Sequence, residues 1–257
     1  MRLIDTLLKK ARELILTSQY TVALTGAGIS TPSGIPDFRS PESGLWSHYD
    51  PMAVASLRGF RYNPALFYEW LYPLAQNMLY AHPNPAHFAL AELEQLDLLQ
   101  AVITQNIDLL HSKAGSSTVY EIHGHMRTMT CIKCFANYEL FPILERYLED
   151  RNVPTCEQCG GVLKPDVILF GEQLPARVYS QVKHVLRQAD LMIVAGSSLE
   201  VMPVADFPRE VKERGGRLII INLQPTDYDT LADVVIHDDV AVVLPTIVSL
   251  IKGEQND

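Results

Sequence analysis

Four cysteines give the clearest chemical signal in the 257-residue sequence, spaced as Cys131-x2-Cys134-x21-Cys156-x2-Cys159. Two such pairs can hold four thiolates as a tetrahedron around Zn²⁺, and four protein ligands leave no coordination position open for chemistry. We therefore predict a structural zinc site. The alternatives are two disulfides, which the lack of an export signal disfavours, or a redox dithiol, which would not need a second pair.

A glycine-rich turn follows the apolar run at 22–24 and has the chemistry of a phosphate-binding site. Gly26 and Gly28 stand where a dinucleotide-binding turn has its first two glycines. Thr31 occupies the third glycine position, and no strand ending in an acidic residue follows within about 20 residues. The turn therefore indicates a nucleotide-binding site, but its sequence argues against a dehydrogenase that transfers hydride.

Small or hydrogen-bonding residues follow each of five predicted strands. They are residues 26–30, 105–108, 123–124, 196–198 and 222–224. Ligands of open α/β sheets bind beyond the carboxyl ends of the strands, where backbone N–H groups and hydroxyls suit phosphate and ribose oxygens. His123 belongs to this set and could accept a proton near neutral pH. His125 is the competing candidate, and the sequence does not separate the two.

Alternating strands and helices must position these turns. The apolar runs predict strands at 20–25, 101–104, 119–122, 190–195, 217–221 and 234–236. Helical spacing predicts helices at 3–17, 64–80 with a disturbance at Pro73, 85–96, 175–188, 203–214 and 239–252. This order predicts an α/β fold, with a Rossmann-like parallel sheet that carries helices on both faces.

A small module is predicted to interrupt this fold. The stretch around the cysteines has short strand-like runs and a charged helix at 139–150, which do not follow the alternating pattern. We predict a Rossmann-like domain at 1–126 and 164–257, and an inserted zinc-ribbon module at 127–163. Residues within 40–80 are expected to supply the helical part of the smaller domain.

The charge pattern limits the partners. The net charge is −9 and no block of lysine and arginine occurs, so we expect no direct binding to nucleic acid, because phosphate neutralisation needs clustered cations. The amino-terminal helix carries charges throughout, and no segment reaches the roughly 20 apolar residues that span a bilayer. We therefore expect no membrane partner and a cytoplasmic location.

These motifs resemble those of the sirtuins, the NAD-dependent protein-lysine deacylases. The matching stretches run from residue 22 to 240 and comprise 26–39, 104–108, 110–111, 114–115, 123–124, the four cysteines, 170–172, 196–199 and Asn222. The resemblance implies that NAD is consumed while acetyl or longer apolar acyl groups leave protein lysines, giving nicotinamide and O-acyl-ADP-ribose. Sirtuins break the nicotinamide–ribose bond, so the acidic residue of a dehydrogenase turn need not be present.

The resemblance also implies a role for each matching residue. His123 is expected to act as general base on a ribose hydroxyl, with Asn106 as the second catalytic residue. The expected NAD-binding residues are Gly26, Ala27, Gly28, Thr31, Ile35, Asp37, Phe38, Arg39, Gln105, Asn106, Ile107, Asp108, His123, Gly196, Ser197, Ser198, Asn222, Leu223, Asp239 and Val240. The acylated peptide is expected to lie as an extra strand between the two domains, against Ile168, Phe170, Gly171, Glu200 and Val201.

Two departures from the sirtuin pattern concern specificity. Glu200 stands where many relatives have an apolar residue, which predicts a preference for basic residues beside the acyl-lysine. Leu71 and Leu74 match the positions of a Tyr-x-x-Arg pair in sirtuins that favour acidic acyl groups. A carboxylate buried there would have no cationic partner, so acetyl and longer apolar groups are expected over succinyl.

Two other functions stay open on the sequence. A mono-ADP-ribosyltransferase would use NAD and the same motifs but would attach ADP-ribose to a protein. A zinc-ribbon module that binds nucleic acid would need no catalysis, although the acidic net charge weighs against it. The oligomeric state is expected to be a monomer.

Overall fold

A six-stranded parallel sheet forms the larger layer of the computed structural model, which describes residues 2–37 and 49–253. The strands lie in the order β3-β2-β1-β7-β8-β9, the order of a doubly wound sheet whose direction of winding reverses between β1 and β7. Their bounds are β1 Thr21–Thr25, β2 Ala101–Thr104, β3 Val119–Glu121, β7 Leu191–Ala195, β8 Arg217–Ile221 and β9 Val234–Ile236. The predicted Rossmann-like sheet is confirmed.

Helices cover both faces of this sheet because its central strands are buried on both sides. Alternate residues of a strand point to opposite faces, and the contacts follow this rule: Ala23 and Ile193 pack on one face, Val22 and Val194 on the other. The first face is covered by α1 Arg2–Thr17, α5 Pro85–Gln95 and α10 Val240–Lys252. The second face is covered by α8 Ala176–Gln188 and α9 Phe207–Glu213.

A smaller layer packs beside the carboxyl ends of the sheet strands. It contains an antiparallel sheet in the order β5-β4-β6, with bounds β4 Gly124–Cys131, β5 Asn137–Glu139 and β6 Leu163–Val167. Its helices are α2 Pro51–Val54, α3 Leu57–Tyr62, α4 Pro64–Tyr80 and α7 Leu140–Asp150; the short α6, Leu110–Lys113, joins the two layers. Phe60, Phe67 and Tyr68 form the aromatic centre of this layer, and the Tyr68 hydroxyl donates to the carbonyl of Leu163 at 2.6 Å.

The helices of 51–80 and the cysteine module share one hydrophobic core. This arrangement supports the idea that both belong to a smaller domain, although the proposed limits of 127 and 163 fall within β4 and at the start of β6. The domain boundaries stay a prediction. Predicted residues 40–48 of the helical part lie outside the described residues.

Two local features differ from the sequence expectations. The short helices α2 and α3 were not predicted, yet Asp50 and Ser56 cap them by accepting from the N–H groups of Met52 and Gly59. The predicted helix at 203–214 is divided into a 3-10 turn, Val204–Asp206, and α9. Helix α4 runs through Pro73 without ending.

In the described ranges, no helix is both long and apolar enough to cross a bilayer.

Candidate functional site

A cavity of about 590 Å³ lies between the carboxyl ends of the sheet strands and the smaller layer. Every predicted catalytic, NAD-binding and peptide-binding residue within the described ranges lines this cavity. These residues are Gly26, Ala27, Gly28, Thr31, Ile35, Asp37, Gln105, Asn106, Ile107, Asp108, His123, Ile168, Phe170, Gly171, Gly196, Ser197, Ser198, Glu200, Val201, Asn222, Leu223, Asp239 and Val240. The predicted residues Phe38 and Arg39 lie outside the described residues.

The glycine turn after β1 lies directly against the turn after β7. The N–H of Gly28 donates to the carbonyl of Gly196 at 2.9 Å, and a Cβ on Gly26 or Gly28 would come within 2.9 Å of that oxygen. Gly196 has φ +61°, and a Cβ there would lie 2.2 Å from the N atom of Ile29. Only glycine fits these three positions, so the floor of the cavity is bare backbone that a ligand can approach closely.

The third glycine position of the turn has a different local use. The Thr31 hydroxyl donates to the carbonyl of Gly28 at 3.0 Å and closes the first of two successive 3-10 turns, Ala27–Ile29 and Thr31–Ser33. A dinucleotide-binding helix does not begin here. The backbone of this turn therefore differs from that of a dehydrogenase at the third glycine position.

A buried hydrogen-bond network links the turns after β1 and β2. The Ser30 hydroxyl donates to Asp108 Oδ2 at 2.7 Å, and Asn106 Nδ2 donates to Ser30 Oγ at 3.0 Å and to the Gly26 carbonyl at 3.1 Å. Both Nδ2 hydrogens of Asn106 are thus used, and Oδ1 is the atom left to accept from a ligand. Ser30, which was not among the predicted site residues, is fully buried.

Asp108 is the buried acid of this network. Its second carboxylate oxygen accepts from the N–H of Leu110 at 2.9 Å. Burial raises the pKa of Asp108, while the bonds from Leu110 and Ser30 lower it. The side chain is therefore fixed in orientation at the edge of the cavity.

His123 borders the cavity and its ring orientation is defined by one contact. Its Nδ1 lies 3.2 Å from the carbonyl of Gln105; because a carbonyl only accepts, Nδ1 carries the proton and Nε2 of the neutral ring is a free base. Burial lowers the pKa of His123, and the Gln105 contact opposes this shift. The Gln105 side chain is held in turn, since its Nε2 donates to Ser197 Oγ at 2.9 Å.

The structure separates the two candidate histidines. His125 lines a different cavity, of about 690 Å³, beside β3 and α8. Gly124 stands between the two histidines with φ +81°, and the pairing of β4 with β6 shifts register after it. The left-handed glycine turns the chain, so that residues two apart face different cavities.

Two buried histidines lie at the end of β1, where the glycine turn begins. His87 and His111 have ring centroids 4.8 Å apart, and His111 Nε2 lies 2.9 Å from the Thr25 hydroxyl. Burial lowers the pKa of His87 to about 4 and, with the neighbouring His87, that of His111 to about 3. His87 was missed in the sequence, although Asn84, which caps its helix and donates to the Ile29 carbonyl at 2.8 Å, was recognised as a cap.

One end of the cavity is apolar. Its wall consists of Phe67, Trp70, Leu71, Leu74 and Met78 of α4, together with Ile35 and Ala55. No lysine or arginine of the described ranges lines the cavity. This end can therefore accept an uncharged chain but offers no cation to a carboxylate.

The segment 167–171 forms one side of an open groove at this end. One of its edges is occupied, since the N–H groups of Ile168 and Phe170 donate to the carbonyls of His123 and Ala55 at 2.8 and 2.9 Å. Glu200, which is exposed, and Val201 line the same cavity. An extended peptide placed between the two sides would face the apolar pocket.

The four cysteine sulfurs form a cluster away from the cavity. All four lie within 4.8 Å of one another, and two cross-pairs, Cys131 with Cys159 and Cys134 with Cys156, are 3.5 Å apart. Sulfurs at the corners of a zinc tetrahedron lie about 3.8 Å apart for a Zn–S bond of about 2.3 Å, whereas a disulfide needs about 2.05 Å. The geometry fits zinc, and none of the four cysteines lines the cavity.

Comparison with known proteins places the chain in a family. The sequence pattern of the Sir2 family matches residues 26–203. The chain is 46% identical to the NAD-dependent protein deacetylase of Caldivirga maquilingensis over 245 residues, covering 95% of this chain and 94% of that protein. It is 44% identical to NAD-dependent protein deacylase 2 of Archaeoglobus fulgidus, covering 95% of this chain and 96% of that protein. The chain belongs to the Sir2 family.

Solved structures agree with this assignment. A Sir2 structure determined in work on the mechanism and regulation of Sir2 enzymes has a TM-score of 0.92 at 42% identity, covering 97% of this chain and 99% of that chain. A Sir2 protein with a p53 peptide and NAD⁺ has a TM-score of 0.87 at 39% identity, covering 96% and 98%. A Sir2 protein bound to a propionylated peptide has a TM-score of 0.86 at 38% identity, covering 96% and 99%.

Proposed function

We propose that the chain is an NAD-dependent protein-lysine deacylase, which removes acetyl and longer apolar acyl groups and gives nicotinamide and O-acyl-ADP-ribose. One observation carries the proposal: a single cavity is lined by a glycine turn, a polar network, a set of apolar side chains and His123, whose Nε2 is not used by the Gln105 contact. The names of the relatives, NAD-dependent protein deacetylase and deacylase, support it.

NAD fits the polar half of the cavity. Gly26, Ala27 and Gly28 line this half without a large side chain, which lets a pyrophosphate approach the turn closely. We assign Thr31 to the same end, residues 105–108 to the ribose and nicotinamide, and 197–198, 222–223 and 239–240 to the adenosine. When bound, NAD supplies the ribose to which the acyl group is transferred.

His123 is assigned as the general base. Its Nδ1 is committed to the Gln105 carbonyl, so Nε2 is the atom that takes the proton from a ribose hydroxyl. Asn106 is assigned as a catalytic residue that accepts through Oδ1, because Gly26 and Ser30 take both of its hydrogens. Asp108 and Ile107 are assigned to the nicotinamide carboxamide.

The acylated peptide is assigned to the groove between 167–171 and Glu200-Val201. The peptide would lie as an added strand beside this segment, and the acyl-lysine would enter the pocket beneath α4. The Glu200 carboxylate at the groove favours a basic residue beside the modified lysine. Peptides that differ only in an arginine or glutamate at the neighbouring positions test this preference.

Mass spectrometry of the products tests the proposal. Incubation with NAD and an acetyl-lysine peptide should give deacetylated peptide, nicotinamide and an ADP-ribose that carries the acetyl group, in equal amounts, and none of them without NAD. The alternative, a mono-ADP-ribosyltransferase, would instead leave the acetyl group on the peptide and add the mass of ADP-ribose to protein. That outcome would replace the proposed reaction.

We further propose that the chain acts as a monomer in the cytoplasm and does not bind nucleic acid directly. A cluster of four thiolates around zinc suits a reducing compartment, and the sequence has no block of basic residues. Sedimentation of the purified protein tests the oligomeric state, and a DNA-binding assay at low salt tests the absence of nucleic-acid binding.

A further inference from the structure

The adenosine end of the cavity is formed by two short segments. Residues 222–225 follow β8, and 239–240 begin α10. Leu223 exposes 62% of its surface. The first segment is anchored at its start, where the N–H of Asn222 donates to the carbonyl of Ile236 at 3.1 Å. The Asn222 side chain also bonds within the segment, since its Nδ2 donates to the carbonyl of Gln224 at 2.7 Å.

His237 makes the next contact with this segment. It follows β9, and its Nδ1 lies 3.0 Å from the carbonyl oxygen of Asn222. Its Nε2 lies 3.1 Å from Oδ2 of Asp229, a residue of the turn between β8 and β9. His237 itself does not line the cavity.

Both partners of the His237 ring are acceptors. A backbone carbonyl has no proton to donate, and an ionised carboxylate has none either. Both ring nitrogens must therefore carry a proton for the two contacts to be hydrogen bonds, which is the state of the imidazolium cation. A neutral ring has one N–H and loses one of the two bonds.

The charged groups nearest the ring are mainly acidic. Asp229 faces the ring, and its other oxygen accepts from the Thr226 hydroxyl at 2.7 Å, which fixes the carboxylate. Asp238 and Asp239 are the next residues on the ring's own segment. On α1, which packs beside β9, Lys10 bonds to the carbonyl of Asp233, at the opposite end of the strand.

We propose that His237 is a positioning residue for NAD, whose doubly protonated ring joins the Asn222 carbonyl to the Asp229 carboxylate and holds the adenosine end of the cavity in its binding conformation. The inference rests on the proposed function for the identity of the ligand. It predicts that loss of either ring contact weakens NAD binding. The side chains are 38% and 20% exposed, so the effect is modest.

Calorimetric titration of NAD into the full chain tests the proposal without relying on turnover. His237→Gln should weaken NAD binding at pH 6 about threefold to tenfold, the range for one charge-assisted bond at a partly exposed site.

Three further measurements separate positioning from a structural effect. Asp229→Asn should weaken NAD binding like His237→Gln, and the double variant should be no weaker than either, because the two residues act through one contact. The Michaelis constant for NAD should rise in both variants, while kcat stays within twofold. His184→Gln, which changes an exposed histidine on α8, should match the unsubstituted protein.

Unchanged NAD affinity in His237→Gln would overturn the proposal. An additive double variant would do the same. A protein that binds no NAD at all would instead contradict the proposed function, so the two failures are distinguishable.

Discussion

Acidification should destabilise the protein through the buried pair His87 and His111. The pKa of each ring is lowered by burial, to about 4 and about 3, from the ordinary value of 6.5. Both rings are neutral in the folded protein, whereas the unfolded chain takes up protons as pH falls below 6.5. The unfolded state therefore binds more protons, and stability is lost as pH falls from 6.5 towards 4.

The size of this effect follows from the two pKa values. At pH 5, a histidine with an unfolded pKa of about 6.5 and a folded pKa of about 4 destabilises the fold by about 2 kcal/mol. A folded value of about 3 gives almost the same figure, because both values lie below pH 5. The pair should thus cost about 4 kcal/mol, against a total stability of about 5–15 kcal/mol for a typical domain.

Urea unfolding at pH 7.5 and pH 5 measures this loss. The variant His87→Gln removes one titrating ring and is expected to be less stable at both pH values, because the bond from Asn84 to the ring is lost. It should nevertheless lose about 2 kcal/mol less than the unsubstituted protein between the two pH values. Other titrating groups, such as Asp108 and His123, are present in both proteins and cancel.

His184→Gln is the matched control, since it replaces an exposed histidine of α8 that is not part of the buried pair. If His87→Gln loses as much stability on acidification as the unsubstituted protein, the buried pair is not held neutral and the reasoning is refuted.

Three further predictions follow from the site. His123→Ala should keep the fold and NAD binding while deacylation falls by about 10² to 10⁴-fold, which single-turnover assays measure; near-normal turnover would move the base elsewhere. Cys159→Ser should lower the bound zinc measured by atomic absorption and unfold the cysteine module; full zinc content with intact structure would contradict the assignment. Succinyl-lysine should react at least about tenfold more slowly than acetyl-lysine, and the double substitution Leu71→Tyr and Leu74→Arg should narrow the difference because it supplies a cation; faster desuccinylation by the unsubstituted protein would show that the pocket already has one.

The large-scale fold could be predicted from local patterns. The apolar runs at 101–104 and 217–221 coincide with β2 and β8, because central strands of a parallel sheet are buried on both faces and carry continuous apolar residues. The polar turns that follow them meet at one edge of the sheet as a result. The cavity could therefore be outlined before any coordinates were known.

Features that depend on contacts between distant residues could not be predicted. Ser30 lies in a recognised turn, but its role needs Asp108 and Asn106, more than 70 positions away. His87 was read as part of a helix, and only packing brings it against His111. The sequence does not show whether His123 or His125 borders the candidate site. The left-handed conformation of Gly124, which directs the two histidines to different cavities, is visible only in the structure.

The central claim is that one cavity holds NAD against the glycine turn and the acyl-lysine in the apolar pocket, with His123 between them. A crystal structure with NAD and an acetyl-lysine peptide tests it most directly. The account predicts the pyrophosphate beside Gly26 and Gly28, the acetyl group under Leu71 and Leu74, and a ribose hydroxyl within about 4 Å of the His123 ring. NAD bound away from the glycine turn, or an acetyl group outside the apolar pocket, would contradict it.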